Sequence, residues 1–470
     1  MMNPIWRKMR PICVSAVVLS TLAGCAKEIP YAAPTFPFQQ SYSGHKSAAP
    51  VLLENTAWWK GFKDPTLDRL VERALRDNLS LSAAKERIVE ARANLDTVPS
   101  NANLSPSLGV QRSKASGGSP QTRSEAQLGL SWLLDPYGAR RQQLKAARAR
   151  IEVADAESDA AQLLVLLNLT NAYVDLRFSQ QVLRIRHQEI RARHKTLDLT
   201  QTLFDKSAAT RLDLVRAEAR LSEAEAAVPT ARAAIQRQQY QIAVLLGMAP
   251  GTLDITLEDG AMPHPSMSAN VGIPADILRN RPDVRIAERI YYANVAEIGV
   301  AKAQLYPQLS LSGAITLASI ASGAHGADYV FGPTLTLPSL PNGPRKGALA
   351  AQESRARQAH TAWQSTVLDA IREVETAITE YSASASAAQA SQKTVRLYRE
   401  AANLTRDLVL RDSATLNDLL DDEESITNAE LTLAQNQRQQ SLSFINLNVS
   451  LGSGHASGQM YGQNAAPYSN

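Results

Sequence analysis

The chain has 470 residues, enough for two or three ordinary domains, and its formal net charge of +4 is nearly balanced. Nothing in this balance points to a nucleic-acid partner, which is usually met by a clustered basic surface. Aromatic residues make up only 5% of the chain. Long stretches are dominated by Ala, Leu, Gln, Arg and Glu, a composition typical of long helices.

Cysteine and histidine usage limits the metal chemistry open to the chain. The two cysteines, Cys13 and Cys25, both lie in the first 25 residues, so the rest of the chain has no disulfide framework and no thiolate metal site. The histidines are scattered, and only His187 and His194 lie close together on a helical pattern. A solvated helix face explains that pair better than a metal site with two ligands and no third.

The first 24 residues have the features of a lipoprotein signal peptide. A basic start, with Arg7, Lys8 and Arg10, precedes an apolar stretch that is shorter than the ~20 residues of a membrane-spanning helix. The stretch ends in Leu22-Ala23-Gly24-Cys25, which resembles a bacterial lipobox. By that resemblance Cys25 carries a covalent lipid, and Ala26 permits sorting to the outer membrane. The alternative is an ordinary cleaved signal peptide with a chance cysteine.

The mature chain is predicted to begin with an extended tail, followed by a first set of elements in residues 57–247. Residues 25–56 are rich in Pro, Ala and Ser, which favours the tail. A helix is predicted from Pro65 to Leu95, since apolar residues recur at helical spacing. A hairpin follows in residues 104–134, where apolar and small or polar residues alternate. Two long helices then cover residues 139–203 and 211–247, and 65 helical residues extend about 100 Å.

The second half repeats the first at a constant offset of 205 residues. The offset relates Gly138 to Gly343, Leu144 to Leu349, Ala209-Thr210 to Ala414-Thr415, Asp213-Leu214 to Asp418-Leu419 and Leu246-Gly247 to Leu451-Gly452. After a linker in residues 248–273, the second repeat occupies residues 274–452. It contains a helix from Pro274 to Leu305, a hairpin in residues 307–338, long helices over residues 346–408 and 416–451, and a C-terminal tail in residues 453–470.

Four strands per chain have a physical consequence if they enter a membrane. The smallest closed barrels in lipid have about eight strands. An open edge leaves backbone groups without partners in hydrocarbon, at a cost of several kcal/mol each. Several chains would therefore have to complete one barrel. The alternative is that the hairpins pack against their own helices in a coiled-coil envelope lipoprotein without a pore.

Several motifs together resemble the outer-membrane efflux proteins of the TolC and OprM type, specifically the NodT-like lipoproteins. They are Trp58-Trp59-x-x-Phe62-x-Asp64-Pro65-x-Leu67, Trp132-x-x-Asp135-x-Tyr137-Gly138-x-x-Arg141, the strand starts at Pro106 and Pro307, and Thr415-x-x-Asp418-Leu419-Leu420-Asp421. The resemblance implies a mainly α fold with some β structure. It also implies a homotrimer with a twelve-stranded barrel in the outer membrane and a periplasmic barrel of long helices.

The same resemblance implies what the protein does and with what. The trimer would passively export small molecules, receiving them from an inner-membrane pump of the RND type through a periplasmic membrane-fusion adaptor. Export of proteins by type I secretion is the alternative duct function. We find no phosphate-binding glycine loop, zinc motif or nucleophile elbow, so we expect no enzyme activity and no cofactor beyond the lipid.

In this family, aspartates at the turn between the long helices form an acidic ring that closes the periplasmic end, and the matching residues here are Asp418 and Asp421. A capping box offers a second explanation for Asp418, because Thr415-x-x-Asp418 has that pattern and Thr210-x-x-Asp213 repeats it. Asp421 is the stronger gate candidate, since its repeat partner is Arg216 and capping does not explain it.

The tips also depart from the family pattern. Positions that often carry a glycine in each turn hold Ser207 and Asp412 here. The tyrosine and arginine that lock the gate in some members fall on Val409 and Ala414, which cannot form those bonds. The resemblance therefore predicts a gate that is held mainly by packing and by the acidic ring.

Overall fold

The computed structural model describes residues 31–39, 41–42, 57–114, 116–253, 255, 257–265, 280–320, 325–411 and 413–455. Within these ranges the chain is mainly helical and has one small four-stranded sheet. The signal-peptide and lipidation predictions, for residues 1–24 and Cys25, lie outside the described residues, and so does Asp412.

The elements follow one another in the predicted order. They are a 3-10 helix at Trp58–Phe62, α1 at Pro65–Asp77, α2 at Leu79–Asp96, β1 at Ala102–Ser113, β2 at Gln121–Leu134, α3 at Ala139–Asp205, α4 at Arg211–Leu245, α5 at Pro282–Ala303, β3 at Gln308–Ile320, β4 at His325–Thr336, α6 at Gly343–Val409 and α7 at Leu416–Ser450. Helices α3 and α6 have 67 residues each, and α4 and α7 have 35 each.

The described chain forms two compact units, and each takes segments from both halves of the sequence. One unit, here named the sheet unit, lies within residues 1–36, 87–154 and 286–364 and contains all four strands. The other, the helix unit, lies within residues 37–86, 155–285 and 365–470. The units of packing therefore differ from the sequence repeats of residues 57–247 and 274–452.

The sheet has one apolar and one polar face. Its strands run antiparallel in the order β1-β2-β3-β4. The register places these apolar side chains on one face: Leu104, Leu108, Val110, Leu128, Leu130, Trp132, Leu311, Ile315, Leu317, Tyr329 and Phe331. The other face holds mostly Ser, Thr, Gln, Gly and charged residues, and its larger apolar side chains include Leu133 and Val330. Gly313 interrupts the apolar row because a Cβ there would collide with the ring of Phe331.

One predicted helix is two helices in the structure. The sequence predicts a single helix from Pro65 to Leu95, but Asn78 adopts an extended backbone and separates α1 from α2. Its side-chain oxygen accepts hydrogen bonds from the backbone N–H of Ser80 at 2.9 Å and of Leu81 at 3.1 Å. Asparagine competes well at such a cap, so the helix restarts at this residue.

The core of the helix unit lies around the start of α1. Trp58, Phe62 and Phe444 pack edge to face, and the Trp58 indole donates a hydrogen bond to the Ser453 carbonyl at 3.1 Å. Ser453 and His455 are buried, so the first residues of the predicted C-terminal tail belong to this core.

Candidate functional site at the tips of the long helices

Two turns of similar construction join the long helices in the helix unit. The N–H of Ala208 donates to the Leu203 carbonyl at 2.8 Å after α3, and the N–H of Ser413 donates to the Leu408 carbonyl at 2.9 Å after α6. These bonds are related by the offset of 205 residues. Ser207 has a φ of 61°, a left-handed conformation that glycine adopts with less strain.

A capping box begins the helix that follows each turn. Thr415 Oγ1 accepts a hydrogen bond from the N–H of Asp418 at 3.2 Å, and the Asp418 carboxylate accepts one from the N–H of Thr415 at 2.9 Å. Thr210 and Asp213 make the same two bonds at 3.2 and 2.9 Å. The four residues therefore share one local role, which is to satisfy the free N–H groups of α4 and α7.

The caps also affect the titration of the two aspartates. Hydrogen bonds from the backbone and side chain of Thr415 lower the pKa of Asp418 below its usual value. The pKa of Asp213 is lowered as well, by the side chain and then the backbone of Thr210. Both carboxylates are thus stabilised in the charged form.

Asp421 has a different environment from Asp418, although both lie on the first turns of α7. Its side chain is exposed, and no hydrogen bond or ion pair joins it to another described residue. Its repeat partner Arg216 instead donates to Asn417 Oδ1 at 3.4 Å. The structure thus leaves the Asp421 carboxylate free to face solvent.

A buried ion pair lies next to these exposed groups. Glu423 on α7 is only 5% exposed, and its carboxylate accepts hydrogen bonds from Thr196 at 2.7 Å and from Arg193 at 3.2 Å. Arg193, on α3, is 3% exposed and also donates to the Leu420 carbonyl at 3.1 Å. Arg406 on α6 is a second cationic partner of this carboxylate, at 3.7 Å. One carboxylate therefore joins three long helices.

Sequence analysis missed this pair, although a signal for it exists. Glu423 belongs to the acidic run Asp421-Asp422-Glu423-Glu424, which obscures it. It also lies four residues after Leu419 and four before Thr427, on the buried stripe of α7. A charged residue on an apolar stripe needs a partner, and Arg193 lies on a correspondingly buried position of α3.

Two further properties of the described residues concern metal ions and membrane-spanning helices. Among them, no group of His, Cys, Asp and Glu side chains could hold a metal ion. Nor does any helix in the described ranges combine the length and the apolar character that crossing a membrane requires.

Comparison with known proteins identifies the family. A family model described as outer membrane efflux protein matches residues 70–248 and 273–453. The chain is 33% identical over 451 residues to Nodulation protein T of Rhizobium leguminosarum bv. viciae, covering 94% of this chain and 93% of that protein. The chain belongs to the outer membrane efflux protein family.

Further relatives of this efflux protein agree. It is 27% identical over 469 residues to outer membrane protein OprJ of Pseudomonas aeruginosa, covering 95% of this chain and 96% of OprJ. The solved outer-membrane channel OprN matches it with a TM-score of 0.79 and 28% identity, over 90% of this chain and 99% of that one.

The comparisons confirm the resemblance to the TolC and OprM type. The protein is an efflux channel of the outer membrane, and its family is one of channels rather than enzymes.

Proposed function

We propose that three copies of this chain form one channel, which passively exports small molecules as the outer-membrane part of a tripartite pump. Each copy would supply four strands to a twelve-stranded barrel and its long helices to a periplasmic barrel. A periplasmic membrane-fusion adaptor and an inner-membrane pump of the RND type would deliver the substrate. A lipid on Cys25 would anchor each copy.

The main support for this proposal is the exposed apolar face of the sheet. Both of its faces are accessible in a single chain, and large side chains on the apolar face are open to solvent, such as Leu108 at 88% and Tyr329 at 79%. A sheet in water would bury that face, whereas a barrel wall turns it to lipid and its polar face to the lumen. The strands have 12 to 14 residues, more than the ~9–11 that a tilted strand needs to cross a bilayer.

The edges of the sheet support an oligomer. Among the described strands, β1 pairs only with β2, and β4 pairs only with β3. Unpaired edges are not tolerated in hydrocarbon, so β4 of one copy would pair with β1 of the next. Closure by three copies removes every edge.

We also propose that Asp421, with Asp418, forms the acidic ring of a periplasmic gate. The exposed and unpaired Asp421 carboxylate suits that role. Asp418 already accepts two bonds from Thr415 and has a helix-capping role in either case. Repulsion between copies and attraction of cations would then regulate the passage.

A matched pair of substitutions tests the barrel. Leu108→Arg places a charge on the apolar face, which costs about 2–4 kcal/mol near the middle of a bilayer. We expect it to abolish the heat-resistant trimer on gels. Ser107→Arg, one position away on the polar face, should leave the trimer intact and alter its single-channel ion selectivity.

Two results would contradict the proposal. One is equal tolerance of both arginines, and the other is a stable single subunit in detergent and in bilayers, as a coiled-coil lipoprotein without a pore would give. A trimer that conducts but whose loss impairs only protein export would favour type I secretion.

A further inference from the structure

The tail that precedes the first helix is attached to the sheet unit by two aromatic side chains. The Tyr31 ring lies 4.5 Å from the Tyr292 ring, edge on, and 5.9 Å from that of Tyr291. Five residues later, Phe36 lies 6.3 Å from Trp363, again edge on. We name these five residues the tail clamp.

A hydrogen bond strengthens the first attachment. The Tyr31 hydroxyl donates to Glu288 Oε1 at 2.6 Å. Burial and then this bond raise the pKa of Tyr31, so the hydroxyl remains a donor at neutral pH. Trp363, the partner of the second attachment, is only 1% exposed. The first point of the clamp is therefore reinforced by a hydrogen bond, and the second rests on a buried helical residue.

The distance of the clamp from the sheet can be measured along α5 and α6, the helices that precede β3 and follow β4 in the sequence. Helix α5 ends at Ala303, just before β3, and α6 begins at Gly343, just after β4. Gln352 donates to Asn294 Oδ1 at 3.3 Å, and each of the two lies nine residues from the sheet-proximal end of its helix. A residue of α5 and a residue of α6 that lie the same number of residues from these ends are therefore at the same distance from the sheet, measured along the helices.

The tail approaches the sheet in the direction of Cys25. Tyr291 lies twelve residues from Ala303, or about 18 Å at 1.5 Å per residue. Trp363 lies twenty residues from Gly343, or about 30 Å. Between Phe36 and Tyr31 the tail therefore rises by about 12 Å toward the sheet.

The chain between the clamp and Cys25 has a limited reach. Six residue steps separate Tyr31 from Cys25, and at about 3.5 Å each they span at most about 21 Å. The sheet-proximal helix ends lie about 18 Å from the clamp. The available length thus exceeds the required length by less than one residue.

We propose that the tail clamp is a length gauge that holds the lipidated Cys25 at the membrane surface where the strands begin. This inference rests on the proposed lipid and on the proposed barrel. Tyr31 is the positioning residue, because its attachment nearly fixes the distance between the lipid on Cys25 and the barrel. Each copy would therefore lie at one depth in the membrane. A shorter tether would force either the acyl chains or the barrel out of the bilayer.

A change in tether length tests the gauge. Deleting Lys27 and Glu28 leaves the net charge and Ala26 unchanged and shortens the reach from Tyr31 to about 14 Å, below the 18 Å needed. We expect at least a tenfold fall in heat-resistant trimer in the outer membrane. Duplicating the same Lys-Glu pair, the matched control, should leave the amount of trimer within twofold of wild type.

Release of the clamp should restore the shortened protein. In Tyr31→Ala the first fixed point becomes Phe36, which after the deletion is nine residues from Cys25, a reach of about 31 Å against a distance from the sheet of about 30 Å. The deletion combined with Tyr31→Ala should thus recover trimer to within threefold of Tyr31→Ala alone. Tyr31→Phe retains the ring and should give no recovery.

Three results overturn the gauge: normal trimer with the deletion alone, failure of Tyr31→Ala to restore it, or equal loss with the duplication. Radiolabelled palmitate on the wild type and on each variant separates these results from failure of the proposed function. Absence of label on wild-type Cys25 would refute the lipid, and absence of a wild-type trimer would refute the barrel. A labelled deletion variant without trimer that Tyr31→Ala restores supports the gauge.

Discussion

The two tips of the long helices share their construction, but only one of them has a buried ion pair. Each has the same turn hydrogen bond, a Thr–Asp capping box and a following helix of 35 residues. On α7, Glu423 is buried against Arg193, whereas its counterpart on α4, Glu218, is exposed. Tyr398, the counterpart of Arg193, is 41% exposed. The turn hydrogen bonds and capping boxes, which both tips have, stabilise the ends of the helices. The Arg193–Glu423 pair, which only one tip has, joins α7 to α3.

This difference gives α7 a buried attachment to α3 that the corresponding position of α4 does not have. A carboxylate that is taken out of water must keep its partners, because an uncompensated buried charge is strongly destabilising. The proposed gate residue Asp421 lies two residues before Glu423 on the same helix. Loss of one partner of the buried pair should therefore disturb the segment that carries Asp421, the residue proposed for the gate.

Removal of the buried pair should have the largest effect. Arg193→Ala leaves the Glu423 carboxylate with Thr196 and a more distant Arg406, and should cost about 3–5 kcal/mol. We expect a lower melting temperature of the trimer and a higher basal conductance in planar bilayers. Glu218→Ala, at the exposed counterpart, should change stability by no more than about 0.5 kcal/mol. Equal effects of the two would remove the distinction between the tips.

Neutralising Asp421 should change conductance without changing stability. Asp421→Asn removes the exposed charge and is expected to raise conductance and weaken block by divalent cations in planar bilayers. Asp421→Glu keeps the charge and should behave like wild type. Unchanged conductance and unchanged block in Asp421→Asn would count against the gate.

Loss of either cap should have a moderate and equal effect. Thr415→Ala and Thr210→Ala each remove the side-chain acceptor of a capping box, at about 1 kcal/mol. Denaturant unfolding of the trimer measures both. Thr394→Ala, where the hydroxyl bonds only within its own helix at 3.2 Å, serves as the control. Markedly unequal values for the two caps would show that the tips differ in more than the buried pair.

The smallest expected effect is on the pH dependence of the stability. Because the caps lower the pKa of Asp418, its contribution to stability is present above the ordinary carboxyl range and is lost as the pH falls through the lowered pKa. The melting difference between wild type and Asp418→Asn should therefore shrink as the pH falls below about 4. Asp213→Asn should follow the same course, and a difference that persists at low pH would exclude this cause.

Much of the architecture follows from the sequence because it depends on local, repeated signals. Helical spacing over long stretches predicts α3, α4, α6 and α7 to within three residues at each end. Strand alternation predicts the apolar face of β2 and β3. The break at Asn78 was missed because asparagine within an otherwise continuous apolar pattern gives little warning of a cap.

The site was less accessible to prediction for a different reason. The capping boxes lie within four residues of sequence and were recognised, but Arg193 and Glu423 are 230 residues apart. Their pairing depends on which faces of α3 and α7 meet, and no local pattern contains that information. The tail clamp was missed for the same reason, since Tyr31 and Glu288 are 257 residues apart.

The sheet with two open edges has a further consequence for the life of a newly made chain. A chain that has not yet joined the proposed trimer displays a water-exposed apolar surface, bordered among the described strands by the unpaired edges of β1 and β4, and such a surface is a template for aggregation. Biogenesis therefore competes with misassembly at every encounter. If copies close into the proposed barrel, we expect a periplasmic chaperone to cover this surface until they do.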